Sequence, residues 1–97
     1  MKLRLTPRAT QDLVTIADYV RERDPQAAIR VRAAIRDGLK TLTTFPNAGR
    51  PQDIPPVRKL VTHKYSYLIY YAIDEEAGEI HVLTIQHPAR ARDSEDQ

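Results

Sequence analysis

The sequence predicts an α+β fold: an N-terminal strand, an antiparallel two-helix hairpin, then a three-stranded antiparallel meander forming a curved sheet. Three observations carry that prediction. Thr6-Pro7 and Asp24-Pro25 each set a capping side chain before a proline, and apolar residues at 3.6-residue spacing follow each pair. Four of the seven prolines fall within residues 46–56, where neither a helix nor a central strand can continue. Beyond them the apolar residues gather in three short runs rich in Val, Ile, Leu and Tyr.

Leu3 and Leu5 alternate with Lys2, Arg4 and Thr6, the period of a short half-buried strand. Leu13, Ile16, Ala17 and Val20 then mark one face of a helix over residues 7–23. Asp24-Pro25 closes that helix and opens the next, in which Ala28, Val31, Ala34, Ile35, Leu39, Leu42 and Phe45 share the core face. With so little chain between them, the two helices form an antiparallel hairpin. Residues 46–56 read as a stiff surface loop. Strands are expected over residues 57–62, 65–73 and 80–86, joined by His63-Lys64 and by a hairpin loop ending near Gly78. Residues 67–73 are apolar on both parities, so their strand is central and covered on both faces. Core packing of that strand is the expected role of Tyr65, Tyr67, Tyr70 and Tyr71, with base stacking as the alternative.

Ninety-seven residues make one domain, 1–97, with 88–97 expected to be a flexible tail. No cysteine is present, which removes disulfides, thiolate metal sites and a cysteine nucleophile. Ser66 and Ser94 are the sole serines, so a Ser-His-Asp triad has no credible nucleophile. No metal, no cofactor, no membrane segment and a cytoplasmic location are expected.

The net charge of +2 conceals segregation: residues 25–73 hold eight bases against two acids, a local excess of six positive charges. On the second helix Ile29, Ala33, Arg36 and Lys40, with Arg32 at the edge, form a mixed apolar and basic stripe off the core face. Such a stripe suits an acidic amphipathic partner segment, and a solvated face is the alternative. Three histidines offer proton chemistry. His81 and His87 share parity with Leu83 and Ile85 but stand about 20 Å apart on an extended strand, too far to share a substrate atom. His63 lies in a polar turn and is expected to be solvated.

The chain resembles the RelE/ParE superfamily of bacterial type II toxins, in its ParE-like branch. The resemblance rests on an ordered set of segments: Thr6-Pro7-Arg8-Ala9, Asp12-Leu13, Ile16-Ala17-Asp18-Tyr19-Val20, Phe45-Pro46-Asn47-Ala48-Gly49-Arg50-Pro51, Val57-Arg58-Lys59-Leu60-Val61, Tyr67-Leu68-Ile69-Tyr70-Tyr71 and Val82-Leu83-Thr84-Ile85-Gln86-His87-Pro88-Ala89-Arg90. It implies a toxin that inhibits DNA gyrase with no catalytic residues of its own. A ParD-like antitoxin would neutralise it, and DNA would be met only through that antitoxin. Arg50, Arg58, Lys59 and Lys64 are then the expected target-docking residues, and Ile29, Arg32, Ala33, Arg36 and Lys40 the antitoxin-binding ones. RelE-like members instead cleave mRNA on the ribosome, and for that chemistry the resemblance offers Arg58 as phosphate holder and His87 as proton donor or acceptor. Without those roles, Arg58 is expected to pair with a loop carboxylate such as Asp53, and His87 to cap the sheet. An antitoxin-binding adaptor without toxicity is the third reading.

Overall fold

Asp24 ends one helix and starts the next. Its backbone N–H donates to the Val20 carbonyl at 2.7 Å, closing α1 (Pro7–Arg23). Its carboxylate accepts from the N–H groups of Gln26 and Ala27, both at 3.1 Å, opening α2 (Pro25–Thr44). Thr6 caps α1 the same way, accepting from the Ala9 N–H at 3.1 Å. Both helices therefore run over the residues that the cap-and-proline signals delimit. Phe45 is the exception: it closes α2 through its N–H and its ring is 64% exposed, not on the core face. Pro46 pushes the preceding residue out of the helical region, so the apolar periodicity ends one residue sooner than the spacing suggests.

The structure, a computed structural model, describes residues 1–89. From residue 90 onward, the expected tail lies outside the described residues. Five strands make one sheet in the order β1 (Lys2–Leu5), β5 (Glu79–Gln86), β4 (Leu68–Asp74), β3 (Val57–Val61) and β2 (Arg50–Pro51). The β3–β4–β5 meander is antiparallel as expected, and β1 adds to β5 in parallel. β2 corrects the reading of 46–56 as loop alone. Arg50 and Pro51 pair with Lys59 and Arg58 at the sheet edge, where a proline's missing N–H costs nothing. β4 also begins at Leu68 instead of residue 65, because Tyr65 and Ser66 take φ values of 67° and 54°. The left-handed conformation at two consecutive residues turns the chain and cannot belong to a strand.

A bulge shifts the β4–β5 register, so that Tyr70 faces Thr84 while Tyr71 faces Val82 and Leu83 is the extra residue. The buried positions of β5 therefore run Ile80, Val82, Ile85, switching parity in mid-strand. The shared face inferred for His81, Leu83, Ile85 and His87 is lost: Ile85 is in the core and His81 is not.

Tyr71, Leu42, Ile69, Ile80 and Val82 are fully buried between the helices and the sheet. Gly38 lets α2 come close, since a Cβ there would stand 3.1 Å from Ile69 Cδ1 and 3.2 Å from Thr62 Cγ2. The Tyr71 hydroxyl donates to the Pro46 carbonyl at 2.7 Å and accepts from the Gly49 N–H at 2.8 Å. Replacing Tyr71 with Phe strands both loop groups and should destabilise the fold by about 1–3 kcal/mol. Gly49→Ala should cost more, because its Cβ would meet the Tyr71 ring and hydroxyl at 2.6 Å and the Lys59 carbonyl at 2.9 Å. Urea unfolding should show lower midpoints for both variants at unchanged slope.

Candidate functional site

Sheet side chains donate to three carbonyls of the Pro46–Pro51 segment, those of Pro46, Asn47 and Gly49. Arg58 supplies two of these bonds, its Nη1 donating to the Gly49 carbonyl at 2.7 Å and to the Asn47 carbonyl at 3.3 Å. The partner expected for Arg58, the Asp53 carboxylate, is therefore replaced by backbone. Arg58 faces Tyr71 across the ladder and shares its core-facing side of the sheet. Arg50 and Lys59 are opposite one another in the β2–β3 pair and, with Tyr70 beyond, lie on the outer face. Lys64 is exposed in the β3–β4 connection. The four basic residues expected at one docking surface thus divide between two faces and a turn.

His87 leaves β5 with its ring edge-on to Tyr67, centroids 5.4 Å apart, and its Nδ1 accepts from the Ala89 N–H at 3.1 Å. Burial, and secondarily Tyr19, push the Tyr67 phenol above its ordinary value. Arg58 is opposite Tyr71, and His87 is on Tyr67, four residues away or roughly 13 Å along the strand. Arg58 and His87 thus contact different residues, with no bond between them among the described residues. His63 is exposed, as expected for a turn residue. Of the four tyrosines, Tyr67 and Tyr71 are in the core, Tyr70 is half-buried, and Tyr65 is 43% exposed on the turn, which removes it from the core set.

One cluster was not visible in the sequence. Asp74 and Glu79 face each other across the β4–β5 hairpin, His81 follows on the same face, and their ligand-type atoms lie within 4.8 Å of one another. Arg4 arrives from β1, its Nε 2.6 Å from Glu79 Oε2, while His81 Nε2 is 3.1 Å from Oε1. The hydrogen bond from Arg4, then that from His81, hold the Glu79 carboxyl below its ordinary value. The guanidinium already neutralises the central carboxylate, so the cluster works as an ion-pair chain tying β1 to β5. The sequence signal was the hairpin register, legible only once the turn length was known.

The helix stripe is a ridge between two grooves. Ile29 is 72% exposed, Arg32, Arg36 and Lys40 are exposed, and Ala33 is half-buried. On one side, a groove of about 430 Å³ between α1 and α2 is lined by Val14, Ala17, Val20 and Leu39 and rimmed by Arg32 and Arg36. On the other, a groove of about 460 Å³ runs between α2 and the β3–β4 connection. There the Thr62 hydroxyl donates to the Lys64 carbonyl at 2.6 Å and accepts from the Tyr67 N–H at 2.9 Å, pinning the left-handed pair Tyr65-Ser66. Strain of about 1–3 kcal/mol per such residue persists only where surrounding bonds enforce it.

Residues 3–92 match the family model described as the ParE toxin of the type II toxin-antitoxin system, parDE. The chain belongs to the ParE toxin family. A toxin candidate of Sinorhizobium fredii, Y4kP, is 36% identical over 89% of this chain and 86% of its own. Toxin RelE2 of Caulobacter vibrioides is 33% identical over 88% and 92%. Among solved structures, the chromosomal ParDE toxin–antitoxin system from P. aeruginosa superposes with a TM-score of 0.79 at 29% identity, covering 90% of this chain and 95% of that one. The α+β order derived above is therefore the order of a ParE-family toxin. Among the described residues no helix is long and apolar enough to cross a membrane.

The Arg4–Glu79–His81 chain makes a pH prediction for this toxin. A carboxyl whose folded value is lowered stabilises the fold above its unfolded value of 4.5, and that contribution disappears as pH falls through the folded value. Between about pH 6 and pH 3 the parent should therefore lose more thermal stability than Glu79→Gln. Parallel melting curves in acid would refute this.

Proposed function

We propose that this ParE-family toxin acts by binding DNA gyrase, with no hydrolytic step of its own. The separation of Arg58 from His87 is the observation that carries the reading. Cleaving RNA by 2′-hydroxyl attack needs a cation on the phosphate and proton-transfer groups around the same atoms. Here the Arg58 Nη1 is engaged by two carbonyls, and His87 packs on a different part of β4. Arg50 and Lys59 on the outer sheet face, with Lys64 on the turn, serve docking. The ParDE match in P. aeruginosa supports the same branch.

Ribosome-dependent mRNA cleavage is the second reading, favoured by the relative named RelE2. One experiment separates the two. The purified toxin is added to gyrase supercoiling reactions and, in parallel, to translating ribosomes with a defined message. Inhibited supercoiling with intact message is the expected result. Codon-dependent cuts would decide for the ribosome. His87→Ala should keep most of the toxicity, whereas a fall of about 100-fold in a folded variant is the signature of a lost general acid–base.

The antitoxin surface in this proposal is the α2 ridge: Ile29, Arg32, Ala33, Arg36 and Lys40. The ParDE neighbour is a toxin–antitoxin assembly, and the ridge pairs exposed apolar atoms with uncompensated positive charge. An acidic amphipathic segment, ordered on binding, complements it. Raising salt from about 50 to 500 mM should slow its association about tenfold with little effect on dissociation. Ile29→Glu should instead speed dissociation at least about tenfold by setting a buried charge against an acidic helix. Unchanged dissociation kinetics in Ile29→Glu would move the interface off the ridge.

A further inference from the structure

The groove between α2 and the β3–β4 connection carries opposite charges at its two ends. Arg30 lies at one end, where its Nε donates to the Tyr65 hydroxyl at 3.1 Å, and Lys64 adjoins them on the same connection. Asp37 lies two helical turns further along α2, roughly 10 Å from Arg30 by helix rise. The close approach of Gly38 to Thr62 and Leu60 shows that this end of the groove faces the body of β3 instead of the turn. Ala33 and Leu60 supply an apolar floor between the two ends. Among the described residues neither the Lys64 ammonium nor the Asp37 carboxylate has an ion-pair partner. The groove, of about 460 Å³, is in the size range of small-molecule sites.

We propose that this groove binds a guanine nucleotide, its phosphate at Arg30 and Lys64 and its base on the apolar floor with the Watson–Crick edge at Asp37. Each part follows from the chemistry of the groups. Two cations beside an aromatic ring at one end suit a phosphate and the sugar next to it. An apolar floor bounded by helix and strand accepts a base, which presents apolar faces and polar edges. A carboxylate is acceptor-only, so it selects a base edge that offers adjacent donors, and guanine presents N1–H together with its 2-amino group. Adenine presents an acceptor at the corresponding ring position, and uracil flanks its single N3–H with two carbonyl acceptors, so both meet Asp37 less well. Seven positions along α2 separate Arg30 from Asp37, about 10 Å of helix rise, so a ligand that spans both must be about as long as a mononucleotide. The strained Tyr65-Ser66 pair holds the Tyr65 side chain at the phosphate end, where its hydroxyl meets Arg30 and fixes the guanidinium.

The site shares Lys64 with the proposed docking residues but stands apart from Arg58 and the outer sheet face, and nucleotide binding is measured without gyrase. It touches the antitoxin ridge at Ala33 alone. The test uses the folded toxin, titrated with 5′-GMP, 5′-AMP and inorganic phosphate by calorimetry and by amide NMR shifts. GMP should bind about tenfold tighter than AMP, the discrimination one bidentate base contact supplies, and tighter than phosphate, with shifts centred on Ala33, Asp37 and Leu60. Lys64→Glu should weaken all three ligands, and Asp37→Asn should erase the preference for GMP while keeping the phosphate contribution. Circular dichroism confirms that both surface variants stay folded. No saturable binding of GMP, affinity equal to that of phosphate alone, or a guanine preference that survives Asp37→Asn overturns the proposal. Shifts confined to the outer sheet face also overturn it.

Discussion

The buried phenol of Tyr71 is the contact on which the architecture turns. A hydroxyl at the centre of the core must find partners or lose about 1–3 kcal/mol, and it finds them in the loop that follows α2. Pro46 cannot donate and Gly49 alone can approach the ring, so the loop wraps the phenol, with its carbonyl at one end and its amide at the other. That wrapping decides where α2 stops, leaves Phe45 outside, and delivers Arg50 and Pro51 to the edge of β3. Arg58 completes the lock from the adjacent strand. An arginine used this way is a structural tie, which is why a basic residue on this sheet does not by itself imply a phosphate site.

A second constraint concerns β5, which is longer than the strand beside it. β1 ends at Leu5, and the ladder it would have continued is finished by side chains of the helix that follows. The Thr6 N–H donates to the Val82 carbonyl at 3.0 Å, and its hydroxyl donates to the Leu83 carbonyl at 2.9 Å. Nearly two turns further, the Asp12 carboxylate accepts from the Ile85 N–H at 3.0 Å and from the Thr84 hydroxyl at 2.5 Å. The residues that cap and open α1 thus also satisfy the exposed edge of the sheet. This couples helix and strand at the place where the bulge re-aims the side chains of β5.

In this ParE-family toxin the basic residues of the segment from Pro25 to Ile73 divide among the sheet, helix α2 and a turn. Arg4 and Glu79 pair across β1 and β5, with His81 bonded to the same carboxylate. Positive charge with apolar relief suits macromolecular docking, where complementary fields speed encounter and apolar contact sets lifetime.

Much of this was legible in the chain order. Thr6-Pro7 and Asp24-Pro25 determined both helix starts, because capping and proline geometry are local. The apolar spacing determined their buried faces, and the short connections determined the meander. The segments from Thr6 to Ala89 carried the family. What the sequence left open were relations between distant residues. The parity of β5 depends on a bulge opposite Tyr70 and Tyr71. The partner of Arg58 depends on where the proline loop folds back, and the Asp74–Glu79–His81–Arg4 cluster depends on strand register. Period and propensity act over a few residues, whereas Arg58 and its Gly49 partner are nine positions apart and Arg4 and Glu79 are 75. Strand pairing and the fold-back of the proline loop onto Tyr71 bring them into contact.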